Sequence, residues 1–118
     1  MKRMKMWMAM GALLVFAGLA AGSVTESFAQ ANKLYRDGKY AQAEEAYRKI
    51  LDEGTVSSAL YYNLGNACIK NGELGRAILA YERSLKEDPR DPEARANLQY
   101  ARSLLPDKTE ENGFLAVL

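Results

Sequence analysis

Catalytic chemistry usually starts from a histidine, an activated cysteine, facing carboxylates or a glycine-rich phosphate loop, and this sequence is poor in all of them. It has no histidine, which removes the commonest general base and the commonest metal ligand together. Its single cysteine, Cys68, cannot form an internal disulfide. It falls in an apolar helical stretch and reads as a small buried hydrophobe. The carboxylate pairs Glu44 with Glu45, Asp52 with Glu53 and Glu110 with Glu111 are sequence neighbours, placed on helical surfaces or in a tail. Adjacent residues on a helix do not face each other, so none of these pairs can bracket a substrate. No nucleophile elbow, phosphate loop or metal-ligand cluster is written in the sequence. The chain therefore reads as non-catalytic, with no cofactor and no metal. What it does offer is recognition chemistry: asparagines that donate and accept hydrogen bonds at once, and tyrosines with a broad rigid face and a polar tip.

Those residues ride on a pattern that recurs after 34 residues. Asn32, Gly38, Ala43, Ala46, Tyr47, Leu51 and Glu53 reappear as Asn66, Gly72, Ala77, Ala80, Tyr81, Leu85 and Glu87. A period of this length reads as a stacked helical-hairpin repeat, because one hairpin cannot bury its apolar face until a neighbour covers it. Five helices are expected. The first runs from Thr25 to Asp37 and stops at Gly38, and the second from Tyr40 to Glu53, stopping at Gly54. Ser57 or Ser58 caps a third that runs to Asn71 and closes at Gly72. The fourth spans Leu74 to Glu87 and is broken by Pro89. Asp91 caps the fifth, with Pro92 in its first turn and Glu93 where the helix dipole favours negative charge. It runs to Leu105 and is ended by Pro106. Glu45 with Lys49, and Glu82 with Lys86, have the spacing of surface ion pairs. Close packing of two antiparallel helices needs small residues at the crossing, a role given to Ala31 with Ala43 and Gly65 with Ala77. Tyr47 and Tyr81 fill the space beyond, and Leu64, Ile78 and Leu85 point to the same core.

At 118 residues the chain holds one domain at most. Its first 22 residues carry Lys2, Arg3 and Lys5, then an apolar run from Trp7 to Ala21 and small residues up to Ser23. That layout is a secretory signal, shorter than the roughly 20 residues a spanning helix wants. An N-terminal membrane anchor is the alternative. Without the three early cations the 16 basic residues fall to 13 against 15 acidic ones, a net charge of −2. No basic stripe survives, so nucleic acid is not the expected partner. After residue 106 the chain reads as a polar tail ending in the apolar run Phe114 to Leu118. That run suits the opening of a longer hydrophobic segment or a sticky tail.

The stretch Ala59 to Pro89 strongly resembles a tetratricopeptide repeat, with Tyr61, Leu64, Gly65, Ala77, Tyr81 and Pro89 on its signature positions. Ser84 stands where alanine is more usual. The hairpin from Thr25 to Gly54 matches more weakly, with Ala31 at the usual glycine position. In the fifth helix Asn97, Leu98 and Ala101 echo Asn63, Leu64 and Ala67, and this helix serves as a cap. The resemblance implies an all-α solenoid over residues 25–105, with repeats at about 25–57 and 58–91 and a capping helix at 91–105. The combination of YYNLGN, NGELGRAILAYERSL and NLQYAR is further similar to the tetratricopeptide protein of the bacterial aerotolerance (Bat) operon. That resemblance implies an exported envelope scaffold, periplasmic or held at the inner membrane, beside membrane proteins with von Willebrand factor A domains. Membrane contact would come through the N-terminal segment or a C-terminal span that this sequence lacks. Other envelope assemblies (pilus, division or outer-membrane biogenesis) and a secreted binding domain are the alternatives.

In stacked hairpins the first helix of each pair lines the concave face. The candidate groove residues are then Phe28, Asn32, Tyr35 and Arg36 from the first unit, Tyr62, Asn63, Asn66, Ile69 and Lys70 from the second, and Glu93, Asn97 and Tyr100 from the cap. Each could equally be a packing or solvated position. Cytosolic tetratricopeptide co-chaperones grip a C-terminal carboxylate with two asparagines and several cations. Asn32 and Asn63 coincide with those asparagines, but Phe28, Glu93 and Asn97 occupy the basic positions. Without charge-assisted bonds most of that grip is gone.

Overall fold

The computed structural model describes residues 23–106. The signal-type segment 1–22 and the apolar run 114–118 lie outside the described residues. Five helices follow one another: α1 Ser23–Arg36, α2 Tyr40–Asp52, α3 Ser58–Lys70, α4 Leu74–Glu87 and α5 Pro92–Ser103. Each packs on the next, and α1 also reaches α3, so the chain stacks as a helical-hairpin solenoid with α1 and α3 side by side. None of the described helices is long and apolar enough to cross a membrane.

Helix ends follow the residues that mark them. Gly38, Gly54 and Gly72 take positive φ of 79°, 99° and 74°. Each lets the following residue bond back five positions: Lys39 N to Leu34 O at 2.9 Å, Thr55 N to Ile50 O at 3.3 Å and Glu73 N to Cys68 O at 2.9 Å. This closes the last helical turn on its orphan carbonyls, and only glycine enters that conformation without a steric cost. Of the two candidate caps for α3 it is Ser57 that serves, its Oγ accepting from Leu60 N at 3.1 Å. Asp91 Oδ1 caps α5 by accepting from Glu93 N at 3.0 Å and Ala94 N at 3.4 Å. The α5 helix stops at Ser103, earlier than the expected Leu105. Its end tightens instead into i→i−3 bonds from Leu104 and Leu105.

The core is a line of small residues flanked by two tyrosines. Ala31, Ala43, Ala67, Cys68 and Ala77 are fully buried, and Tyr47, Tyr81, Ile50 and Leu60 nearly so. Gly65 belongs under Tyr81 as much as at the helix crossing: a Cβ there would lie 2.6 Å from the Tyr81 ring. Ser84, the odd residue at an alanine position, is buried and donates to the Ser58 carbonyl at 2.9 Å. That bond ties α4 to the first turn of α3. Ser84→Ala is expected to cost about 0.5–1.5 kcal/mol, the net worth of one hydrogen bond. Denaturant melts of the variant check this, and a stabilised variant would contradict it.

The expected pairs Glu45 with Lys49 and Glu82 with Lys86 are absent from the ion pairs among the described residues. Glu82 instead accepts from Arg102 of α5 at 2.8 Å. A guanidinium on a packed neighbouring helix competes well with an exposed lysine whose helical pair is worth only about 0.3–0.5 kcal/mol. One repeat beyond Gly65 and Cys68 stand Gln99 and Arg102, both exposed. Where α3 receives the Tyr81 ring, α5 therefore presents long polar side chains, the outer face a terminal unit carries.

Candidate partner-binding groove

The α1 and α3 helices place Asn32, Tyr35, Arg36, Asn63 and Asn66 around an open depression of about 190 Å³, and Tyr47 reaches it from α2. A repeated polar ladder forms its floor. Asn32 Oδ1 accepts from the Tyr47 hydroxyl at 2.6 Å and from Asn63 Nδ2 at 3.0 Å. One unit on, Asn66 Oδ1 accepts from the Tyr81 hydroxyl at 2.6 Å and from Asn97 Nδ2 at 3.0 Å. Asn97 Nδ2 also reaches the Tyr62 hydroxyl at 3.1 Å.

This ladder revises how the asparagines act. Their first task is internal: each repeat's Asn holds its own Tyr fifteen residues later. A buried tyrosine hydroxyl needs an acceptor, and burial pushes the Tyr47 phenol up to about 12, with Tyr35 adding to the rise and Arg36 opposing it. Burial, followed by the charge of Tyr62, raises Tyr81 as well. With both Oδ1 atoms spent, Asn32 and Asn66 still hold NH₂ donors, while Asn63 and Asn97 still hold carbonyl acceptors. The floor thus alternates donor and acceptor along the array, the pattern an extended backbone presents. The Asn–Tyr link was present in the sequence, since both members recur after 34 residues. Their fifteen-residue separation carries no helical meaning until the hairpin brings them together.

The other candidates lie elsewhere. Phe28 packs against the core with its ring edge-on to Tyr47, centroids 6.1 Å apart. Ile69 is likewise partly buried against the core. Tyr62 tilts against Tyr81 at 6.1 Å, and Lys70 sits over the Tyr40 ring, 5.8 Å from its centroid. Glu93 and Tyr100 are exposed on α5, and neither lines the depression. Tyr62 and Asn97 join it only through their hydrogen bonds.

A second polar cluster was not foreseen. Glu44, expected on the helix surface beside Glu45, is only 5% exposed. It accepts from Arg48 and, at 2.7 Å, from Asn71 Nδ2. Arg76 Nη1 stands 3.6 Å from Glu44 and 3.2 Å from Glu73 Oε1. With Glu73 ionised its Oε2 is buried and meets no donor, and only a protonated Glu73 can donate to Glu44. Burial alone would raise the Glu44 carboxyl, but bonds from Glu73 and Asn71 and the Arg48 charge together hold it below its ordinary range. Glu73 moves upward, first through its hydrogen bond to Glu44 and then through burial and the Glu44 charge. One proton shared between the two carboxyls accounts for both directions. Cys68 completes a trio whose ligand atoms lie within 4.8 Å of one another. Two guanidiniums already occupy the carboxylates, and burial followed by the Glu44 charge pushes the thiol up to about 12. The trio does not fit a cation.

The pH dependence of this cluster has a definite sign. The lowered Glu44 contributes stability above the ordinary carboxyl range that is lost as pH falls through its folded value. The raised Glu73 contributes stability below that range that is lost as pH rises through its own. Glu73→Gln keeps a donor for Glu44 at every pH. Thermal melts should therefore show the variant more stable than the parent at neutral pH, and the gain shrinking toward the carboxyl range. A variant less stable at neutral pH would refute the shared proton.

Comparison with known proteins adds a lineage to this geometry. A family model described as "Tetratricopeptide repeat" matches residues 28–92. The chain is also 30% identical over 89 residues to the Photosystem I assembly protein Ycf3 of Rippkaea orientalis (strain PCC 8801 / RF-1). That alignment covers 67% of this chain and 51% of the relative, so the chain spans about half the length of the curated relative it matches.

Proposed function

The chain belongs to the tetratricopeptide repeat family, whose arrays serve protein–protein interaction, and from that premise we propose that it is a non-catalytic adaptor of the bacterial cell envelope. Its groove grips an extended segment of another protein. The observation that carries this reading is the ladder floor, where unspent amide donors on Asn32 and Asn66 alternate with unspent acceptors on Asn63 and Asn97. Tyr35 and Arg36 stand at its rim. An extended backbone meets such a floor with its own alternating groups, and flanking side chains add the specificity.

The envelope setting rests on the sequence of residues 1–22, with its basic start and apolar run, and on the likeness to the aerotolerance-operon protein. Membrane proteins bearing von Willebrand factor A domains are the proposed partners. A relative named for assembling a photosystem favours a second, broader form of the same reading. In it the chain holds a component while some other envelope complex is built.

Site-specific photo-crosslinking in the native host separates these outcomes. A crosslinker at position 35 of the full chain should yield one dominant protein adduct in the envelope fraction, lost in an Arg36→Glu variant. Mass spectrometry then identifies a von Willebrand-type partner or a different assembly component. Adducts formed equally well in the variant, or none at all, would remove the groove as the binding site.

A further inference from the structure

Opposite the groove the second unit carries a cleft that the repeat pattern does not explain. It holds about 250 Å³ and is bounded by Arg48 of α2, Tyr61 and Leu64 of α3, and Arg76, Leu79 and Arg83 of α4. On α3 the groove takes Asn63 and Asn66, while the cleft takes Tyr61, Leu64 and Cys68. At 3.6 residues per turn these sets lie roughly half a turn apart, so one helix serves two faces. We propose that this cleft is a second docking site, for a protein segment carrying an acidic side chain next to a bulky apolar one.

Three observations point to that occupant. Leu79 is 46% exposed in the middle of α4, with an arginine on each side of it along the helix. The positions one repeat earlier than Tyr61, Arg76, Leu79 and Arg83 are Ser27, Gln42, Glu45 and Lys49. An apolar residue flanked by guanidiniums is thus particular to the second unit and is not needed by hairpin stacking. Finally, the charges do not cancel. Arg48 and Arg76 are engaged by Glu44 and Glu73, whereas Arg83 has no carboxylate within ion-pair distance among the described residues. One unmatched guanidinium beside an exposed leucine is complementary to one carboxylate beside one apolar side chain. A polyanion such as nucleic acid would meet the two glutamates as well and be repelled. The volume lies below the roughly 300–1,000 Å³ of small-molecule sites, leaving room for one or two side chains.

The cleft and the groove share no lining residue, so either can fail alone. The probe is an N-acetylated, C-amidated hexapeptide carrying one glutamate–leucine pair flanked by serines, titrated into the full chain. Amide shift changes should centre on Leu79 and Arg83 and leave Asn32 and Asn63 unmoved. By anisotropy with a labelled peptide, Arg83→Glu should weaken binding at least tenfold, and Arg83→Lys and the groove variant Arg36→Glu less than threefold. The analogue with lysine for glutamate should leave the Leu79 and Arg83 amides unmoved. Shifts confined to the groove, no shifts up to the peptide's solubility limit, equal shifts with the lysine peptide, or undiminished binding by Arg83→Glu would each overturn the proposal. Arg83 is exposed, so its replacement leaves the core intact.

Discussion

Tyr81→Ala should lower the stability of the array by about 3–5 kcal/mol, the usual cost of emptying a buried aromatic site. Against the 5–15 kcal/mol that holds a typical domain together, that is a large share, and the melting temperature should fall by well over ten degrees. The argument rests on where the ring lies. Tyr81 is 2% exposed, covers Gly65, and donates its hydroxyl to Asn66. Tyr81→Phe isolates the hydroxyl and should cost only about 0.5–1.5 kcal/mol, since Asn66 keeps its bond from Asn97. A double-mutant cycle makes the packing claim sharper. Gly65→Ala alone drives a methyl to 2.6 Å from a ring that is held in place. Overpacking of that kind costs about 1–3 kcal/mol, more than the roughly 1 kcal/mol gained in helix propensity. In the Tyr81→Ala background the obstruction is gone and the propensity gain remains, so the same substitution should become stabilising. If Gly65→Ala destabilised both backgrounds equally, the close approach of ring and glycine would not be what Gly65 is for.

Fold and groove were legible to different depths. The 34-residue period, the three turn glycines and the caps at Ser57 and Asp91 are local signals, and the helices follow them. The groove was legible as a face: in stacked hairpins the first helix of each pair lines the concave side, and Asn32, Tyr35, Arg36, Asn63 and Asn66 of α1 and α3 do line one depression. That rule could not say which of those groups are already spent. That depends on Tyr47 and Tyr81 arriving from the other helix of each hairpin, a contact fixed by packing. Phe28 shows the opposite error, since an aromatic at a groove position is drawn to the core when a tyrosine edge is there to receive it. Glu44 was misplaced for a related reason. A carboxylate is expected at the surface unless partners compensate it, and its partners Asn71, Glu73 and Arg76 all come from the next unit. Chemistry between helices, within a hairpin or between units, is what a single-helix reading cannot see. In this protein both the groove floor and the Glu44 cluster are built from it.

Deleting residues 91–105 should be the most damaging change of all. A solenoid is held by nearest-neighbour interfaces, so removing one helix leaves the next without a cover. The α5 helix supplies buried Ala94, Leu98 and Ala101, ties Asn97 to Asn66, and ties Arg102 to Glu82. Leu98 alone is worth about 1.5–3 kcal/mol of burial, and the bond to Asn66 adds about 1 kcal/mol. The α4 surface that α5 covers becomes exposed as well. Each kcal/mol lost moves the midpoint by about 4–8 °C in a domain of this size, so the truncated chain should melt at least 15 °C lower or fail to fold. Hydrogen exchange localises the damage: α4 and α3 should lose protection first, and α1 and α2 last. Leu98→Ala, which keeps the helix, should reproduce about 2–5 kcal/mol of the loss. The point variant keeps the chain length, so its loss separates a missing cover from a shortened chain. Were the deletion to melt within a few degrees of the parent, each hairpin would be stable by itself. The 34-residue period would then have no energetic role, and the groove built between α1 and α3 would lose the stacking that holds its two sides together.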